Sequence, residues 1–189
     1  MKTITRTLKT AALLLAVAVL GCSSELSNSG APVELVVTNT QNLQILDVGP
    51  TTDPDCDGTI GTIDMLLLAK RENVSTPFTQ ARITRYRVSY QRTDGGRLVP
   101  APFVRSTDTL ISVGGTASLG QFLVIEPDAF SQAPFAALLP QNGGRDPDTG
   151  RAFVKLDVIV EVFGETIGGD RVYDATRFPL EFCYGCGCS

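Results

Sequence analysis

An all-β antiparallel sandwich is the fold this sequence predicts, and three observations point to it. Apolar and polar residues alternate with period two in several segments. Gly, Pro, Asp and Thr cluster between them. About eight such segments crowd into roughly 150 residues, the density of two packed sheets.

The clearest strand runs over 152 to 163. There Val154, Leu156, Val158, Val160 and Val162 alternate with Lys155, Asp157 and Glu161, which makes one face apolar throughout. The loop GETIGGDR follows, and 172 to 182 then places Phe178, Leu180 and Phe182 on one face, so the two segments read as a hairpin. Pro179 has no N–H and predicts an edge or bulged position. Upstream, ITRYRVSYQ at 83 to 91 turns Tyr86, Val88 and Tyr90 one way and Arg85 and Arg87 the other, and TDGG after it is a turn. Shorter strands are expected at 33 to 38, 43 to 48, 65 to 71, 110 to 113 and 117 to 125. A short helix is expected after Pro127, with Asp128 as its cap and Pro134 limiting its length, crossing one end of the sandwich. The whole reads as one immunoglobulin-like or fibronectin III-like domain over residues 33 to 189.

The first 21 residues read as a leader. Lys2, Arg6 and Lys9 precede an uncharged apolar run from 11 to 20, too short to span a bilayer of about 30 Å as a helix. The run ends in Val19-Leu20-Gly21-Cys22, which resembles the bacterial lipobox. That resemblance implies cleavage before Cys22 and acylation of its thiol; an ordinary secretory leader with a chance cysteine is the alternative. Ser23 and Ser24 stand where lipoproteins retained at the inner membrane often carry Asp, so resemblance to the Gram-negative sorting pattern implies the outer membrane. Residues 22 to 32 then form a small, polar tether.

Cleavage removes three basic and no acidic residues. Of 16 Lys plus Arg and 20 Asp plus Glu, the processed chain keeps 13 and 20, a formal charge of −7. So acidic a chain is not expected to bind nucleic acid or an anionic surface, and membrane attachment falls to the acyl chains on Cys22.

RYRVSYQRTDG at 85 to 95, the apolar-rich stretch at 134 to 139 and the paired C-terminal strands together resemble uncharacterised bacterial lipoproteins with an immunoglobulin-like domain. The resemblance spans most of 60 to 182. It implies a fold and an extracytoplasmic place, and brings no catalytic residue with it.

Histidine and tryptophan are both absent. Without imidazole there is no Ser-His-Asp or Cys-His pair and no histidine metal ligand. A hydrolase built here would need two carboxylates or a serine with a lysine base, yet Lys70 and Lys155, the lysines left after cleavage, fall in or beside outward-facing strand positions. Asp146 and Asp148 in NGGRDPDTGR are the nearest thing to a carboxylate pair, and read more simply as a solvated turn. The chain is therefore expected not to be an enzyme.

Besides Cys22 there are Cys56, Cys183, Cys186 and Cys188. Four thiolates can bind zinc, but export favours two disulfides, for which three connectivities exist. Cys186 and Cys188, one residue apart, would be strained as a pair, so Cys56 is expected to join a tail cysteine.

Residues 53 to 64 read DPDCDGTIGTID. Calcium takes six to eight oxygens from a sharply turning loop, and Asp53, Asp55, Asp57, the Thr59 carbonyl and Asp64 fall at the first, third, fifth, seventh and twelfth positions, with Gly58 at the turn. DGTIGTIDMLLLAKR resembles the loop and helix start of a dockerin repeat, although a dockerin has two such repeats and requires a helix after Asp64. An acidic turn between strands is the other reading. Calcium is the only cofactor the sequence suggests. The functional expectation is an envelope lipoprotein whose sandwich binds a protein or glycan partner or has a structural role; a calcium-dependent adhesion or assembly module and a carboxylate hydrolase are the alternatives.

Overall fold

The computed structural model describes residues 30 to 39, 45 to 49 and 60 to 186. Eight strands occur among them: β1 (Val33–Asn39), β2 (Ile45–Asp47), β3 (Ile60–Ala69), β4 (Ala81–Arg92), β5 (Phe103–Ile111), β6 (Thr116–Leu123), β7 (Phe153–Thr166) and β8 (Arg171–Cys183). They form a three-stranded sheet in the order β1-β3-β6 and a five-stranded sheet in the order β2-β8-β7-β4-β5. With β1, β3 and β6 as A, B and E, and β4, β7 and β8 as C, F and G, this is the immunoglobulin-like sandwich that was expected. β2, which pairs in parallel with β8, lies in the opposite sheet from β1.

Period two sets the core. Val154, Leu156, Val158, Val160 and Val162 of β7 are all fully buried, and so are Phe178, Leu180 and Phe182 of β8 within 2%. They face Val33, Leu35, Ile63, Met65 and Leu67 of the other sheet in one continuous cluster. Lys155 is outward and pairs with Glu181 at 2.7 Å. Pro179 lies opposite Asp157 of β7, two residues before Glu181, which pairs with Ile45 of β2. The N–H of Val37 in β1 donates to the Asp174 carboxylate of β8 at 2.6 Å, joining the sheets along one side.

Two expectations need correction. The fifth strand begins at Phe103, seven residues before its predicted start, because an edge strand needs little apolar alternation. The strand expected at 65 to 71 is the second part of β3, which already begins at Ile60. The helix expected after Pro127 is a series of 3-10 turns, Pro127–Ser131, Phe135–Leu138 and Pro140–Asn142. Glu126, not Asp128, occupies the N-cap of the first, and makes no side-chain capping bond. Proline at 134 and 140 denies the amide hydrogens that a continuous helix requires. The turns do cross one end of the sandwich as expected, and Phe135 plugs the core there, its ring 4.4 Å from that of Phe182.

A register irregularity at Ile83/Arg85 interrupts the pairing of β4 with both β5 and β7, and Gly164 lies opposite Ile83. A Cβ on Gly164 would come 2.5 Å from the Arg82 carbonyl oxygen, whereas one on Gly120 would meet nothing within 4 Å. Gly164→Ala is therefore expected to cost about 1–3 kcal/mol by overpacking. Gly120→Ala should stay within about 0.5 kcal/mol of the parent, read by urea denaturation of both variants.

Candidate functional site

Of the residues singled out for calcium, Asp53, Asp55, Asp57 and Thr59 lie outside the described residues, as do Cys22, Cys56 and Cys188. Asp64 is in the body of β3, in register with Thr38 of β1 and Ser118 of β6. It is half-buried, on the face opposite the core residues Ile63 and Met65. No three His, Cys, Asp or Glu side chains converge on a metal position among the described residues.

Cys183 and Cys186 form a disulfide with Cα atoms 5.9 Å apart. β2 is pinned beside this tail, because the Asp47 carboxylate accepts the N–H of Gly49 at 2.8 Å and that of Gly185 at 3.1 Å. The chain toward Cys56 and the chain toward Cys188 thus leave from one corner.

The carboxylate that the sequence places in a solvated turn is buried. Asp146 is 1% exposed and accepts from Arg92 Nη2 at 2.8 Å. Arg92 also binds Asp94 through Nε and Nη2, both at 2.8 Å. Thr149 adds its N–H and hydroxyl to Asp146, and Lys155 adds its N–H to Asp94. Burial by itself raises both carboxyls. The Arg92 and backbone or threonine hydrogen bonds, with the guanidinium charge, outweigh burial and hold both below the usual carboxylate range. Burial likewise disfavours the Arg92 cation, and its two carboxylate partners more than compensate.

Asp148 is exposed and is also committed. Its Oδ2 accepts the N–H groups of Arg97 at 2.6 Å and Leu98 at 2.8 Å, which lower its carboxyl. A pair held ionised in this way does not supply a general acid near neutral pH. The three acidic residues tie the 93 to 102 loop and the 144 to 151 turn to the ends of β4 and β7. No sequence pattern joins them, because Arg92 and Asp146 are 54 positions apart.

The surface best suited to a partner is the outer face of the five-stranded sheet. Register places Tyr173 of β8, Phe163 of β7 and Arg85 of β4 in one row. The two rings are 5.2 Å apart, and the Arg85 guanidinium lies 4.9 Å over Phe163. Glu161 receives the Tyr173 hydroxyl at 3.2 Å and pairs with Arg87 at 3.3 Å. Burial, and then the Glu161 charge, raise the Tyr173 phenol, so it remains a hydrogen-bond donor. Aromatic faces beside a guanidinium and a carboxylate suit a sugar ring or a peptide. A second feature is a groove of about 250 Å³ between the 99 to 103 segment and the 3-10 turns, walled by Pro100, Pro102 and Ala129 with Glu126 and Asp128 at its polar side.

No family model matches the chain, and no curated protein matches it in sequence.

Two outcomes follow from the polar cluster and the tail. Arg92→Met strands two buried carboxylates and is expected to cost about 3–5 kcal/mol at neutral pH. In the parent, both carboxyls sit below their unfolded values. Their stabilisation is complete above about pH 4 and is lost as pH falls toward the depressed folded values. In the variant, protonation relieves the stranded charges, so its deficit should shrink as pH falls; denaturation at pH 7 and at about pH 3 checks the sign. Non-reducing peptide mapping should recover the Cys183–Cys186 link, and the pairing left over, Cys56–Cys188.

Proposed function

We propose that the protein is an exported lipoprotein, anchored through acyl chains on Cys22, whose sandwich has a binding or structural role in the cell envelope. The observation that carries this is the run of a basic start, a short apolar stretch and Val19-Leu20-Gly21-Cys22, followed by a polar tether that stops where β1 begins. The Cys183–Cys186 disulfide supports an oxidising compartment. Ser23 and Ser24 favour the outer membrane. The row of Tyr173, Phe163 and Arg85 is the surface we assign to a protein or glycan partner, since aromatic and arginine side chains set together are what recognition surfaces concentrate.

Fatty-acid labelling and membrane fractionation of the full chain test the reading. Cys22→Ser is expected to abolish label incorporation and to release the protein from the membrane fraction; unchanged labelling and fractionation would refute it.

A further inference from the structure

The two ends of the sandwich differ, and the strand register identifies the one an anchor at Cys22 reaches. Val33 at the start of β1 pairs with Ala69 at the end of β3, and the Lys70 N–H donates to the Pro32 carbonyl at 3.1 Å. Ala81 at the start of β4 pairs with Thr166 at the end of β7. The described chain therefore begins at the end of the sandwich where β3 leaves, β4 starts and the β7–β8 hairpin turns. From Cys22 to Gly30 there are eight residue steps, at most about 28 Å fully extended.

At this end two large apolar side chains stand in solvent on firm supports. Phe78 is 67% exposed and Ile167 is 50% exposed. Phe78 belongs to the 3-10 turn Pro77–Thr79, which a reciprocal capping box holds in place. The buried Thr79 hydroxyl accepts the Thr76 N–H at 3.0 Å and donates to the Val74 carbonyl at 2.7 Å. Ile167 sits on the neighbouring hairpin. Its N–H donates to the Gln80 carbonyl and the N–H of Gly168 donates to the Phe78 carbonyl, both at 2.8 Å, so the two tips form one surface.

Charges of both signs are interspersed around the pair: Lys70, Arg71, Arg171 and Arg82, the last paired with Asp108, stand beside Glu34, Glu72, Glu165 and Asp170. An apolar pair on fixed turns, at the end of the sandwich where the described chain begins and a short tether arrives, is complementary to lipid rather than to an aqueous partner.

Resting on the lipoprotein reading, we infer that Phe78 and Ile167 seat this end of the sandwich in the interfacial layer of the same bilayer that holds the acyl chains of Cys22. The tether keeps the two side chains close to the lipid, so a small apolar contact suffices. Both side chains are uncharged, so the contact needs no anionic lipid and resists salt.

The chain contains no tryptophan, so Phe78→Trp in the full-length acylated protein is a sole reporter. In zwitterionic vesicles containing brominated lipid, its emission should shift to the blue and be quenched about twofold or more, at low and at high salt alike. Ile167→Trp repeats the measurement from the adjoining hairpin. Leu98→Trp, at the opposite end and 41% exposed in the parent, should keep the emission of an indole in water. Equal, unquenched emission from both ends in protein that floats with the vesicles overturns the inference while leaving the anchor intact. Absence of acyl label and of flotation is a different failure, that of the lipoprotein reading, and the inference falls with it.

Discussion

The alternation along β7 is the constraint on which the other strands depend. Five consecutive inward positions from Val154 to Val162 are fully buried, and each such side chain contributes about 1.5–3 kcal/mol relative to exposure. β7 pairs with β4 on one side and β8 on the other along nearly its whole length. A slip of one residue would carry the entire row into solvent and bring Lys155, Asp157 and Glu161 into the core, so register is strongly specified. The partners inherit it: Phe178 faces in because Val158 does, and Tyr173 meets Phe163 on the outer face for the same reason.

That register also decides where the buried charges sit. Lys155 in β7 donates its N–H to Asp94, just past the end of β4, which holds the loop so that Arg92 can bind Asp94 and Asp146 together. Two buried carboxylates on one guanidinium would be costly without further donors. The Thr149 hydroxyl and N–H, the Gly96 N–H and the Lys155 N–H supply them. No buried side-chain polar atom among the described residues lacks a partner. The arrangement is cohesive: Asp94 and Asp146 each accept four hydrogen bonds, and both carboxyls are pulled toward the ionised form.

Much of this was legible in the sequence wherever the signal was local. The inward rows of β4, β7 and β8 and the TDGG turn all follow from alternation and backbone chemistry. The first half of β5 was not legible, since an edge strand with Ser106, Thr107 and Asp108 at its centre looks like a loop. The stretch MLLLAKRE was ambiguous because an unbroken apolar run suits a helix and a buried strand equally. Asp146 was misjudged for a different reason. Asp-Pro-Asp-Thr-Gly is a turn in its backbone, as the bond from the Gly150 N–H to the Asp146 carbonyl shows, but its side chain is claimed by an arginine from a distant strand. Local sequence reports the turn and is silent about the arginine.

The same topology gives the domain a polarity. β7 has 14 residues, a rise on the order of 45 Å, so the two ends are far apart. One end is closed by the Phe135 plug, the Arg92 cluster and the Cys183–Cys186 bridge, all of which remove freedom from loops. The other end receives the start of the described chain and leaves Phe78 and Ile167 bare on fixed turns. The Tyr173, Phe163 and Arg85 row crosses the outer sheet face three residues in from Thr166, about 10 Å from that second end. Both ends carry exposed apolar side chains, Leu98, Val99 and Tyr184 at the first and Phe78 and Ile167 at the second, so what tells them apart is the bonded loops of the one and the start of the described chain at the other.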